Sequence, residues 1–160
     1  MNDKEDHKAA REREIFKGFC ETIGLKYESI ESRRPPESDI LCKIDGKSYF
    51  FELVEITDEG LAAGVSKSMK TGDITGGAYS QDRPLCRAFD VKAANTYATA
   101  GCPLVLLAYY DKQYPWNVGG YFDDLVGQKA LNMVAAGIWH SIWIYDTWKK
   151  QLLWQHGQSF

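Results

Sequence analysis

The sequence predicts an α/β protein in which a mixed central β-sheet is flanked by helices. Three observations carry that prediction. Two apolar runs between Asp39 and Thr57 flank the dipeptide Asp45-Gly46, the strongest short-range hairpin signal. "CPLVLLAYY", Cys102 to Tyr110, is a continuous apolar run, as in a central strand buried on both faces. Segments with apolar residues at helical spacing precede, separate and follow these runs. The order is helix, hairpin, helix, strand, helix, strands, which one mixed sheet covered on both sides would accommodate.

Taken along the chain, Met1 to Lys8 is polar and expected to fray. Ile15, Phe16, Phe19 and Ile23 then form one apolar helical stripe, with Gly24 as the stop. Arg33-Arg34-Pro35-Pro36 cannot extend a helix, because each proline bars the residue before it from helical geometry. The hairpin strands are Asp39–Ile44 and Lys47–Thr57. Residues 58–84 hold five glycines and little apolar content, and are predicted to be a long flexible loop, functional or disordered. Leu85 to Ala100 reads as the second helix, closed by Gly101. Phe122, Leu125, Val126, Met133 and Val134 mark a third helix ending near Gly137. "SIWIYDTWKKQLLW" reads as a strand pair turning near Asp146. No internal repeat or linker divides the chain, so residues 1–160 are expected to form a single domain.

A chain of 160 residues is long enough for a substantial core. Its 44% hydrophobic and 26% charged content are those of a globular protein. The net charge of -3 offers no global electropositive footprint for nucleic acid, although a local basic patch can sit on an acidic protein. Cys20, Cys42, Cys86 and Cys102 form no C-x-x-C pair and no zinc spacing. The charged N-terminus lacks a signal-peptide core, and no apolar run approaches a membrane span. The expected setting is therefore the reduced cytoplasm, with no disulfide and no membrane.

Two acids interrupt the hairpin. With a two-residue turn, Ile44 pairs with Lys47, Cys42 with Tyr49, and Asp39 with Glu52. Side chains alternate along a strand, so Asp39, Leu41 and Lys43 share a face with Ser48, Phe50, Glu52 and Val54. Ile40, Cys42 and Ile44 share the other with Tyr49, Phe51 and Leu53. Directly opposed residues bring their Cβ atoms to within about 4.5–5.5 Å, and like charges there destabilise a sheet. A divalent cation removes that conflict, and Mg²⁺ typically takes one or two carboxylates while keeping waters. The bland alternative is a solvated pair at the open end of the hairpin.

At these residues the chain resembles the PD-(D/E)XK nuclease superfamily, the restriction-endonuclease-like fold. Ser38-Asp39, just after Pro35-Pro36, resembles the family's first acid motif. "YFFELVEI" resembles the second, with Glu52 at its acid position. The following helix and the strand Pro103–Tyr110 fall in the family's order, so the resemblance spans roughly Ile15 to Asp111. It implies a Mg²⁺- or Mn²⁺-dependent hydrolase of phosphodiester bonds, with DNA as substrate by analogy with the family. Asp39 and Glu52 would hold the ion, and Glu12, one turn before the apolar stripe of the first helix, is the candidate for a third ligand.

The sequence departs from the family at the lysine position, which is Val54. Lys92, on the inner stripe of the second helix, ranks first as its replacement. Glu55 is a second candidate, although alternation turns it to the opposite face. A shifted register, with Glu55 as the acid and Thr57 in the lysine position, is a third. The remaining alternative is a catalytically inactive module on the same fold that binds nucleic acid or a protein partner.

Arg33 and Arg34 precede the Asp39 strand and are the candidate phosphate contacts. Lys67, Lys70 and Arg83 make the long loop locally basic, but it contains no phosphate-cradling P-loop. His7, His140 and His156 show no ligand spacing. Trp139, Trp143, Trp148 and Trp154 could stack bases, although tryptophans in a C-terminal strand pair are more often core or the interface of a homodimer.

Overall fold

A computed structural model describes residues 2–56, 82–111 and 124–160, with the side chains of the second and third helices from Leu85 and Val126 onward. The elements are α1 (Asp3–Ile23), β1 (Ser29–Ser32), β2 (Ile40–Ile44), β3 (Lys47–Glu55), α2 (Asp82–Ala93), β4 (Leu104–Tyr110), α3 (Asp124–Ala135), β5 (Trp139–Asp146) and β6 (Gln151–Gly157). The six strands form one sheet in the order β1-β2-β3-β4-β5-β6. β3, β4 and β5 run parallel and the other neighbours antiparallel, so the sheet is mixed as expected.

The hairpin has the expected register. Ile44 pairs with Lys47 and Cys42 with Tyr49, around Asp45 and Gly46, which both adopt positive φ. This is the left-handed geometry that an Asp-Gly turn supplies at low cost. Alternation then sorts side chains into two cores. Ile40, Cys42, Ile44, Tyr49, Phe51 and Leu53 join Val105, Leu107 and Tyr145 under the α1 stripe of Ile15, Phe16 and Phe19. Phe50, Leu104, Leu106, Ala108, Ile142 and Ile144 lie on the opposite face, under Leu85 and Phe89 of α2 and Val126, Ala130 and Met133 of α3. Every residue of β4 is buried, as a central strand with helices on both faces requires.

Several boundaries differ from the sequence reading. α1 begins at Asp3, well before its apolar stripe. Asp3, Glu5 and Asp6 occupy its first turn, where acids complement the helix dipole. β1 was not anticipated, because "SIES" is a half-exposed edge strand with a single apolar residue. α2 ends at Ala93 rather than Ala100, and the Ala98 N–H instead donates to the Pro36 carbonyl at 2.9 Å. Asp82 to Pro84, expected to close the long loop, form the start of α2. The rest of that loop, with Lys67 and Lys70, lies outside the described residues, as do Thr57 and Phe122. The turn after Asp146 falls where expected, at residues 147–150. Trp139 and Trp143 are 4% and 9% exposed, so both are used within this chain's own cores. His140 is also buried, and its Nδ1 lies 3.0 Å from the Ser141 hydroxyl, a structural position. All four cysteines are free. No helix among the described residues is long and apolar enough to cross a membrane.

Candidate functional site

The site forms where the sheet changes width. β2 starts at Ile40, opposite Phe51, whereas β3 continues to Glu55 with β4 as its partner. Beyond Phe51, the outer edge of β3 has therefore lost its neighbouring strand. The Leu53 N–H on that edge would be left unpaired, and the Asp39 carboxylate accepts it at 2.8 Å. The Asp39 backbone N–H is also near enough to favour the Glu52 charge. Asp39 is thus not an ordinary cross-strand partner of Glu52, as the hairpin register alone suggests. It is a cap on the strand edge, and the cap brings the two acids together.

Glu52 is 5% exposed and lies on the face covered by α2 and α3. One polar group from the α2 side reaches it. The Lys92 Nζ lies 2.5 Å from its Oε1, while the Tyr97 hydroxyl lies 3.5 Å from the Lys92 carbonyl. Burial and the neighbouring Asp39 charge raise the Glu52 pKa, and Lys92 opposes them. Lys92 belongs to the last turn of α2, where a cation also suits the helix dipole. Val54 sits two residues further along β3 on the same face and packs against the α2/α3 core. The apolar residue at the motif position and the lysine from α2 therefore address the same region.

From the other side, α1 contributes Glu12, 8% exposed. Its pKa is raised, first by burial and then by Asp39 and Glu52, while Lys8 one turn earlier lowers it. The Lys8 Nζ lies 3.3 Å from the Glu12 Oε1. Lys8 in turn feels Glu12, Asp39 and Glu52, which together outweigh its partial burial and raise its pKa. The cluster thus sets three carboxylates, Glu12, Asp39 and Glu52, against two ammonium groups, Lys8 and Lys92, leaving an excess of negative charge. Lys8 had no signal in the sequence, because it lies in the segment expected to fray. Once α1 is known to start at Asp3, its i, i+4 spacing to Glu12 identifies it.

Arg33 adjoins the cluster through its backbone, whose N–H donates to the Asp39 carbonyl at 2.8 Å, but its side chain and that of Arg34 are turned to other acids. Arg33 is occupied by Glu37 at 2.5 Å and by Glu31 at 3.3 Å. Arg34 is exposed and lies 3.9 Å from both Glu5 and Asp6 on α1. Both arginines therefore face acids. Glu55 is exposed at the end of β3 and takes the opposite side of the strand from Glu52.

The donor chemistry suits a hard divalent cation. The acids offer oxygen atoms only, two of them meet at the strand edge, and one or two carboxylates suffice for Mg²⁺. The Ser38 hydroxyl, next to Asp39, is buried without a hydrogen-bond partner, an orphaned oxygen at the margin of the cluster. Among the described residues, no three His, Cys, Asp or Glu side chains gather as a metal-binding group.

Glu52 is level with Leu106 of β4 and, through it, with Ile142 of β5, so the cluster lies along the edge of β3 beyond the start of β2. Fold and site together define an α/β protein whose six-stranded mixed sheet carries a carboxylate–lysine cluster at that edge. No family model matches the chain, and no curated protein and no solved structure matches it either.

Proposed function

We propose that this chain is a metal-dependent nuclease-like hydrolase of phosphodiester bonds, acting on DNA in keeping with the resemblance of its hairpin. The observation that carries the reading is the Lys92–Glu52 contact at 2.5 Å, beside the strand edge capped by Asp39. It supplies a lysine from α2 to the site where the resembling motif has Val54.

In this reading Asp39 and Glu52 hold Mg²⁺ or Mn²⁺. Such an ion supplies a Lewis acid and an activated water. Glu12 keeps the field at the site negative and attracts the cation. Lys92 gives up part of its contact with Glu52 and faces the phosphate, where a fixed cation stabilises the charge that develops in the transition state.

The Asp39→Ala variant tests the proposal in a plasmid- and oligonucleotide-cleavage assay with Mn²⁺. Cleavage should vanish while the melting transition stays cooperative. Undiminished cleavage would refute the assignment.

One observation favours the second reading, a non-catalytic module on the same fold. Each acid already has a partner: Asp39 the Leu53 N–H, Glu52 the Lys92 ammonium, and Glu12 the Lys8 ammonium. A cluster satisfied in this way can serve as a structural lock. Absence of Mg²⁺ and Mn²⁺ binding would favour that role.

A further inference from the structure

We infer that the turn between β5 and β6, centred on Trp148, is a stacking platform for an unpaired nucleotide of the nucleic acid that approaches the Asp39–Glu52 edge. The inference rests on the proposed function for its choice of partner and on separate residues for its geometry. Trp148 is 59% exposed, whereas Trp139 and Trp143 are buried in the cores. Lys149 and Lys150 follow it and are exposed. An open indole beside the Lys150 ammonium is the pairing that single strands use, bases on the ring and phosphates on the cation.

The turn is held firmly. Asp146 is 2% exposed, and its Oδ1 accepts the backbone N–H groups of Trp148 and Lys149 at 2.9 and 3.1 Å. Thr147 anchors the other side, where its hydroxyl meets the Tyr110 carbonyl and the Asp111 Oδ1, each at 2.9 Å. A turn whose backbone is fixed in this way presents its side chain from a preorganised position and loses little backbone freedom on binding.

The turn lies beyond the carboxyl ends of the parallel strands. Glu52 is level with Leu106 of β4 and, through it, with Ile142 of β5. Trp148 therefore lies two strand spacings across, about 10 Å, and about 20 Å further along the strands, a span for several nucleotides of a single strand. Asp111 accepts from Thr147 on one side and from the Arg11 guanidinium of α1 on the other. Arg11, Lys17 and Lys150 line a cavity of about 300 Å³ beside the turn, together with Glu14 and Glu21. Arg11 is engaged by Asp111 and Glu14, and Lys17 and Lys150 are the cations that would meet a backbone phosphate.

The test is fluorescence anisotropy with an end-labelled single-stranded DNA oligonucleotide and with its duplex, in EDTA so that neither cleavage nor metal contributes. Trp148→Ala should weaken single-strand binding at least about fivefold, Trp148→Phe should restore most of it, and the duplex should be affected less. The Lys150→Ala variant should reduce the slope of log K against log[salt] by about 0.7 for the single strand. Trp148 is exposed, so thermal melting should report an unchanged fold. Equal affinity of wild type and Trp148→Ala for the single strand would overturn the inference. So would no binding of either oligonucleotide, or self-association of the wild type that Trp148→Ala abolishes in sedimentation. Mn²⁺ binding at Asp39 and Glu52, measured separately, would survive all three results, so failure of the platform is distinguishable from failure of the metal site.

Discussion

At the scale of single residues, the chemistry turns on which side chain faces Glu52. β3 offers Val54, and α2 offers Lys92. If Lys92 supplies the missing cation, Lys92→Ala should lower cleavage by about 10²–10³-fold, the range for removing one fixed charge-stabilising group. Adding Val54→Lys to that variant should recover part of the loss, because residues 52 and 54 share a face of β3. A double variant as inactive as Lys92→Ala alone would argue that Lys92 acts only by holding Glu52. Glu12 gives a prediction in stability. Its pKa is raised in the folded chain by burial and by Asp39. A carboxyl with a raised folded pKa favours the protonated native state, so its contribution is greatest below the unfolded pKa and falls as pH rises through the folded one. Glu12→Gln should therefore raise Tm at neutral pH, and the advantage should disappear in acid, below the ordinary carboxylate range. Thermal melts at several pH values check this. A variant less stable than wild type at pH 7 would show that the Lys8–Glu12 pair outweighs the repulsion.

At the scale of elements, the hairpin was legible and the edges were not. Asp45-Gly46 and strict alternation specified the register of β2 and β3, because slipping by one residue would turn Phe51 and Ile40 away from the α1 core. The same alternation selected Glu52 and placed it opposite Asp39. It could not show that β2 would begin one residue late and that Asp39 would cap the Leu53 N–H. That detail depends on where Pro35-Pro36 and the Ala98–Pro36 contact direct the chain, which is tertiary information. α2 was drawn too long for a related reason, since Asn95 to Ala100 carries no strong stop before Gly101 yet leaves the helix to meet Pro36. Two glycines provide opposite stability tests. A Cβ at Gly157 of β6 would lie 2.5 Å from the His140 carbonyl and 2.7 Å from the Ser141 Cα, at a φ of 114°. Gly157→Ala should cost about 1–3 kcal/mol in chemical denaturation, the usual penalty for forced overpacking. Gly127 of α3 has open space around it. Gly127→Ala should stabilise by about 0.5–1 kcal/mol, the difference in helix propensity.

At the scale of the whole molecule, one sheet separates two cores, and the candidate site lies where both covering layers meet the strand edge. α1 brings Lys8 and Glu12 from one side, α2 brings Lys92 from the other, and the chain entering β2 brings Asp39 between them. The sandwich was readable from the apolar periods. The convergence of charges from three separate elements was not, because it depends on packing between segments distant in sequence. Burial and mutual repulsion raise Glu52, so protons should compete with a metal at higher pH than for an ordinary carboxylate. The measurement that tests the central claim most directly is a calorimetric Mn²⁺ titration of the wild type beside the Asp39→Ala/Glu52→Ala variant, at pH 7.5 and again near pH 5. The account expects wild-type binding that weakens toward pH 5 and is lost in the variant at both values. Heat from the variant equal to that of the wild type, or no binding by the wild type at pH 7.5, would contradict it.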